Sequence, residues 1–198
     1  MPTVTQLGQL DPNLSYSYAD YLSWQITETV ELIKGKIMPM SPAPTLQHQR
    51  ISADITGLLY NFFRHKSCQF FAAPFDVRLY ERNQSLLANQ DIHTVVQSDL
   101  CVVCNTALLD AQGCNGAPDW IIEILSKSTA KRDMQIKYEL YQENGVAEYW
   151  LVYPHEQVIQ QFVLDTGQYR LHGLYTDDDI ATPLLFLDLA ISLTDVFA

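Results

Sequence analysis

Positive charge is what this sequence has least of. Its 198 residues carry 12 Lys and Arg against 23 Asp and Glu, a formal net charge of −11. The surface as a whole therefore repels nucleic acid, whose affinity for proteins comes largely from neutralised phosphates. Any nucleic-acid function needs a local basic patch, metal ions or a partner. Long apolar runs are missing too: "PLLFL" and "WLVY" fall far short of the roughly 20 residues that a membrane helix requires. The opening "MPTVTQLGQLDPNLSYS" has neither the basic start nor the continuous apolar stretch of a secretory signal, so a cytoplasmic chain is expected. No Gly-rich phosphate loop occurs, which argues against a P-loop nucleotide hydrolase. Of the four cysteines, only Cys101 and Cys104 form a C-x-x-C. That pair lies in a strand-like run, where positions three apart point to opposite faces. With no second such pair, ordinary reduced thiols are expected rather than zinc.

What is present is a globular composition, 47% hydrophobic and 18% charged. It suits one domain over 1–198, with residues 1–15 a poorly structured lead-in. "SYSYADYLSW" reads as a short helix capped by Ser15 or Ser17, and "TVELIKGKIMPM" as a hairpin or bent strand turning at Lys34-Gly35. In "TLQHQRISADITGLLYNFFRHKS", Ile51, Ile55, Leu58, Leu59 and Phe62 recur at helical spacing, giving a long helix with one apolar face. "QFFAAPFDVRLY", "VVQSDLCVVC" and "DWIIEIL" read as three successive strands. "MQIKYELYQENG" follows as a helix stopped at Gly145, and "AEYWLVYP", "QVIQQFVLD" and "QYRLHGLY" as further strands. An acidic "TDDD" turn precedes "LDLAISLTDVFA", a small helix or extended segment. This order predicts an α/β fold, a central mixed β-sheet flanked by helices.

Within "DWIIEIL", Glu123 interrupts an apolar strand on the face of Ile121 and Leu125. An unpaired carboxylate there would take up a proton sooner than stay charged, so it needs a cation, donors or solvent. Asp99 opens another strand-like run 24 positions earlier. Two carboxylates on neighbouring strands make an oxygen pocket suited to Mg²⁺ or Mn²⁺, with Asp99 and Glu123 as metal ligands. Asp133, Lys137 and Tyr141 are spaced by four and share a helix face, from which the Lys137 ammonium could reach that pocket. Blander readings stand beside these: Glu123 as a paired core carboxylate, Lys137 as a surface partner of Asp133, Asp99 as a turn residue.

The segments "VELIKGKI", "HQRISADITGLL", "APFDVRLY", "SDLCVV", "APDWIIEILSKSTAKRD", "KYELYQENGVAEYWLV" and "PLLFLDLAISLTDVFA" together are similar to the Uma-type family. That family belongs to the restriction-endonuclease-like PD-(D/E)-x-K superfamily. The resemblance implies a restriction-endonuclease-like fold, Mg²⁺-dependent (or Mn²⁺-dependent) hydrolysis of DNA phosphodiester bonds, and a homodimer. Asp99 matches the motif's first acid and Glu123 its second. Ser98 stands where the family has proline, and Leu125 where the motif has its lysine. The lysine's role then passes to Lys137 on the following helix, with Lys127 a weaker candidate. Glu31 resembles an additional N-terminal acid, or is an exposed strand glutamate. His48 and Gln47 either line the cleft or make ordinary helix-start hydrogen bonds. Asp76 either supports the site or pairs with Arg78, and Asp119 shapes the turn into its strand. Lys127, Lys131, Arg132 and Lys137 form either a basic patch or a solvated helix start.

The catalytic set expected is thus Asp99, Glu123, Lys137 and Glu31 in an endodeoxyribonuclease. The rival from another class is a non-catalytic dimerising or protein-binding module, for which the aromatics around "AEYWLVYP" would be an interface if they are not core. A small-molecule phosphodiesterase using the same acids is a third reading.

Overall fold

The structure, a computed structural model, describes residues 3–40, 44–80 and 86–198; Met1 and Pro2 of the expected lead-in lie outside the described residues. The remaining lead-in carries one 3₁₀ turn, Leu7–Gln9, and Lys36 Nζ donates to the carbonyls of Asn13 (2.7 Å) and Leu14 (3.0 Å). Helix α1 is Tyr18–Ser23, and its cap is Ser17: Ser17 Oγ accepts the Asp20 N–H while the Asp20 carboxylate accepts the Ser17 N–H. Strands β1 (Val30–Ile33) and β2 (Lys36–Pro39) form the expected hairpin. Its turn residues Lys34 and Gly35 both have positive φ, 51° and 78°, the twist that two-residue hairpins demand. Helix α2, Leu46–Phe63, buries Ile51, Ile55, Leu59 and Phe63 on one face.

There follow β3 (Gln69–Ala72), β4 (Val77–Arg78), β5 (Val95–Val96), β6 (Leu100–Val103), β7 (Leu109–Asp110), β8 (Gly113–Asn115) and β9 (Trp120–Ile124). A π-helical turn, Arg132–Lys137, leads into α3, Tyr138–Asn144, which ends at the left-handed Gly145. Strands β10 (Glu148–Tyr153), β11 (Val158–Asp165), β12 (Gln168–Tyr175), β13 (Ile180–Ala181) and β14 (Ile191–Ser192) and the short α4 (Leu193–Val196) complete the chain. Among the described residues no helix is long and apolar enough to cross a membrane.

The central sheet has the order β12-β11-β10-β9-β6-β3, with β9 and β10 parallel and the other neighbours antiparallel. Every residue of β9 is buried, because both sides of the sheet are covered. Trp120, Ile122 and Ile124 face α2 and α4. Ile121 and Leu125 face α3 and a second sheet, ordered β2-β1-β5-β4-β8-β7. Each fully buried aliphatic side chain contributes roughly 1.5–3 kcal/mol, so this two-sided packing fixes β9 firmly. Tyr149 and Trp150 of β10 are core residues, which removes them as an exposed interface.

Two expected strands are each divided between the sheets. In "QFFAAPFDVRLY", β3 pairs in the central sheet and β4 in the second; Pro74, lacking an N–H, cannot continue a ladder between them. In "VVQSDLCVVC", β5 belongs to the second sheet and β6 to the central one. The bridge residues Gln97, Ser98 and Asp99 therefore sit where the two sheets meet.

The expectation of four reduced thiols is corrected. Gln69 pairs with Val103 across β3 and β6, so the next residues outward, Cys68 and Cys104, stand opposite each other and form a disulfide. Cys101 and Cys114 stay free and buried. Alkylation of the unreduced, denatured chain followed by mass spectrometry should label Cys101 and Cys114 alone, with Cys68 and Cys104 labelled only after reduction.

Candidate active site

The antiparallel register of β6 and β9, in which Leu100 faces Ile122, carries Asp99 to the side of Glu123. The Asp99 N–H donates to Glu123 Oε2 (3.4 Å), and Asp99 Oδ2 accepts the Ile124 N–H (2.7 Å). Two acids 24 positions apart in the chain thus share the mouth of a cleft of about 310 Å³. Asp99 is partly open to it, its side chain 23% exposed, whereas Glu123 is 3% exposed.

The helix after β9 crosses back over this position. Lys137 lies 2.9 Å from Glu123 Oε1, 3.0 Å from Glu31 Oε1 and 3.8 Å from Asp133 Oδ1. Tyr141 Oη donates to the same Glu123 Oε1 at 2.7 Å. Asp133, Lys137 and Tyr141 do share a face, and that face is buried against the sheet, so the reading of Lys137 as a surface partner of Asp133 is overturned. The run between Asp133 and Lys137 is π-helical, a distortion found often at functional sites.

Glu31 is the third acid of the cluster. It comes from β1 of the second sheet, is 1% exposed and is no exposed strand residue. Its Oε1 accepts the Gln97 N–H (3.0 Å), and its Oε2 faces Arg132 Nη1 (3.3 Å), whose Nη2 donates to the Pro39 carbonyl (2.7 Å). His48 Nε2 is 3.3 Å from Asp99 Oδ2 and lines the cleft. Gln47 does not: it turns to the other side of α2 and donates to the Pro154 carbonyl. Asp76 is not the partner of Arg78, which pairs with Asp110 at 2.6 Å. Asp76 instead accepts from Tyr18 Oη (2.7 Å) and Gln97 Nε2 (2.8 Å), holding the residue that holds Glu31. Asp119 Oδ2 accepts the Cys104 N–H at the far end of β9. Lys127 and Lys131 are exposed and touch none of the acids. Ser98 is buried beside Asp99.

Burial pushes the Glu123 carboxyl up to about 8; Lys137 works against this, the carboxylates of Asp133 and Asp99 reinforce it, and the Tyr141 hydrogen bond opposes it. Burial would also lower Lys137, but Glu123, Glu31 and Asp133 together hold its ammonium well above the ordinary lysine range. Lys137 is therefore a fixed cation. For His48 burial is the largest single influence and acts downward, yet the Asp99 hydrogen bond and charge leave the imidazole raised overall. Four carboxyl groups (Glu31, Asp99, Glu123, Asp133) and two full cations (Arg132, Lys137) line the cleft, a set of hard oxygen donors that suits a divalent ion. The oxygens still available agree. Asp99 Oδ1 has no partner among the described residues, and Glu123 Oε2 has only the 3.4 Å N–H. Magnesium characteristically takes one or two carboxylates and completes its shell with water and substrate oxygens. No group of three His, Cys, Asp or Glu at metal-binding spacing occurs among the described residues, so the chain offers two carboxylates and no full cage.

Residues 18–194 match the Uma2 family, described as "Putative restriction endonuclease". The chain belongs to this family. A crystal structure of "a putative nuclease belonging to DUF820" from Anabaena variabilis is similar over 92% of this chain and 97% of that one, with a TM-score of 0.69 and 19% sequence identity. That likeness shows the fold, which is restriction-endonuclease-like. No curated protein matches the chain. Three features of this Uma2 chain were beyond sequence reading: the Gln97 backbone serving Glu31, the grip of Arg132 on Glu31, and the Tyr141 hydrogen bond to Glu123. The four-residue spacing of Tyr141 from Lys137 was the one signal for the last of these.

The raised carboxyl of Glu123 has a consequence for stability. The folded chain holds this proton up to about 8, against an ordinary 4.5, so stability contributed by the protonated form is complete below 4.5 and falls as pH rises through that interval. In urea unfolding, wild type should lose stability relative to Glu123→Gln as pH rises from about 4.5 to about 8. A difference independent of pH would mean that Glu123 keeps its charge throughout.

Proposed function

We propose that this chain is a metal-dependent endonuclease that hydrolyses DNA phosphodiester bonds, with Asp99, Glu123, Lys137 and Glu31 as its catalytic set. The observation that carries the reading is the adjacency of Asp99 and Glu123 at an open cleft, with Lys137 Nζ 2.9 Å from Glu123. Asp99 and Glu123 would hold Mg²⁺ or Mn²⁺ through the oxygens left open to the cleft. Such an ion supplies Lewis-acid stabilisation of charge on the phosphate when bound.

The chain's own groups do the positioning. Asp99 is oriented by two donors on Oδ2, the Ile124 N–H and His48 Nε2, which leaves Oδ1 directed away from them. Lys137 Nζ donates to Glu123 Oε1 (2.9 Å) and to the Gln97 carbonyl (3.5 Å) and forms ion pairs with Glu31 (3.0 Å) and, at longer range, Asp133 (3.8 Å). Lys137 lines the cleft, where its fixed positive charge would stabilise charge developing on a phosphate. Glu31, itself paired with Arg132, keeps that ammonium in place. In the reaction a water oxygen bonds to phosphorus as the bond to a sugar oxygen breaks; the water loses a proton and the departing oxygen gains one. The homodimer expected from the resemblance is part of this reading, and sedimentation analysis tests it.

One observation favours the rival, a non-catalytic module of nuclease ancestry: the acids are already matched in part by Lys137 and Arg132, and no three-residue metal cluster occurs among the described residues. Two measurements separate the readings. Supercoiled plasmid incubated with the protein and Mg²⁺ or Mn²⁺ should be nicked, and Glu123→Ala and Lys137→Ala should each lower the rate by about 10²–10³; equal rates in wild type and Glu123→Ala overturn the mechanism. Calorimetric titration with Mn²⁺ should give one binding event that Asp99→Ala abolishes with the circular dichroism spectrum unchanged. No binding by wild type favours the module.

A further inference from the structure

The candidate site draws its parts from two sheets, and those parts have separate supports. The two acids open to the cleft belong to the central sheet. Glu123 lies within β9; the Asp99 carbonyl accepts the Ala73 N–H at 2.9 Å, while the Asp99 carboxylate is held by the Ile124 N–H and His48. The ammonium is supported from the other side. Glu31 Oε1, 3.0 Å from Lys137 Nζ, also accepts the Gln97 N–H, and the Gln97 carbonyl accepts from Lys137 Nζ at 3.5 Å. Whatever fixes the Gln97 backbone therefore fixes two of the oxygens around Lys137.

Asp76 lines no part of the cleft, yet it is placed to do this. Val77 pairs with Val96 across β4 and β5, which sets Asp76 and Gln97, one residue further along each chain, side by side. Asp76 Oδ1 accepts from Gln97 Nε2 at 2.8 Å and Asp76 Oδ2 accepts from Tyr18 Oη at 2.7 Å. Both supports of this carboxylate are themselves pinned. The Asp76 carbonyl accepts the Cys114 N–H at 2.9 Å, and a Cβ on Gly113 would collide with that same carbonyl. Tyr18 is buried, donates its N–H to the Ile92 carbonyl at 2.7 Å and has the Arg78 guanidinium 5.3 Å from its ring centre. Hydrogen bonds to an ionised acceptor are shorter and about twice as strong as neutral ones, so this carboxylate holds the Gln97 amide more firmly than a neutral acceptor would.

Resting on the nuclease reading, we infer that Asp76 is a positioning residue: through Gln97 and Glu31 it places the Lys137 ammonium, while Asp99 and Glu123 are held independently of it. Loss of Asp76 then separates turnover from ion binding. The ion pocket keeps its oxygens, and the cation beside it drifts.

Two variants of the full chain test this. Asp76→Leu keeps the bulk of the side chain and removes both acceptors. Asp76→Asn keeps an oxygen for Tyr18 and offers an N–H to the Gln97 amide oxygen once that amide turns over. In plasmid nicking, Asp76→Leu should lower kcat by about 10–100-fold with KM for DNA unchanged, and Asp76→Asn should recover most of that loss. Calorimetric Mn²⁺ affinity should be the same in all three proteins. The Lys137 ammonium signal in proton–nitrogen correlation spectra of the metal-free, nitrogen-labelled chain, assigned by its absence from Lys137→Arg, should shift in Asp76→Leu and return in Asp76→Asn. Tyr18→Phe, which removes one donor and keeps the ring, should lower kcat by about threefold, and the same criteria apply to it if Asp76→Leu does not fold. An ammonium signal or a kcat that Asp76→Leu leaves unmoved, or Mn²⁺ affinity that falls in step with kcat, overturns the positioning role and leaves the nuclease reading standing. A wild-type chain that does not nick DNA overturns the nuclease reading, and the ammonium signal still decides whether Asp76 positions Lys137.

Discussion

The ammonium of Lys137 is the interaction on which the rest of this site depends. A carboxylate within a sheet covered on both sides has lost most of its hydration, and Glu123 and Glu31 are both in that position. Each would cost several kcal/mol if left charged and alone. One cation reaches both, at 2.9 and 3.0 Å, and Tyr141 adds a neutral donor to Glu123. The match is incomplete, because burial first, and then the charges of Asp133 and Asp99, push Glu123 toward its protonated form. Lys137, the Tyr141 hydroxyl and the proton that Glu123 retains are what keep this acidic cluster within the folded chain.

The second constraint is topological. The cluster is assembled from both sheets: Glu31 from β1, Glu123 from β9, and Asp99 from the short bridge by which the chain leaves β5 for β6. Gln97, within that bridge, donates its backbone N–H to Glu31 and offers its carbonyl to Lys137, while Asp76 holds its side chain. The hydrogen bonds that close the joint between the sheets are therefore the same ones that orient the acids. Disturbing the joint disturbs the site, although Asp76 and Tyr18 themselves line no part of the cleft.

Charge is distributed unevenly in a chain of net charge −11. Lys34, Lys66 and Arg170 are paired with surface carboxylates, pairs that contribute little to stability. Arg132 and Lys137 are spent inside the cluster. Among the described residues Lys36, Arg50, Arg64, Lys127 and Lys131 remain exposed outside any ion pair.

Local pattern by itself determined the element types. The 3.6-residue recurrence of Ile51, Ile55 and Leu59 specified α2, the Lys34-Gly35 pair marked a turn that left a hairpin or a bent strand open, and alternation through β9 assigned Glu123 to the face of Ile121 and Leu125, because side-chain direction in a helix or strand is a property of neighbouring residues. Asp99, Glu123, Glu31 and Lys137 were legible as candidates, and the tertiary structure brings them within one cluster. It alone decided that two apparent strands divide between two sheets, that Cys68 faces Cys104, that Glu31 is buried, that Gln47 and Lys127 lie apart from the acids, and that Asp76 serves Gln97 and not Arg78. Each of these depends on which strands become neighbours and in what register. Register is fixed by packing between segments 20 to 100 residues apart, and no local window of sequence contains both partners.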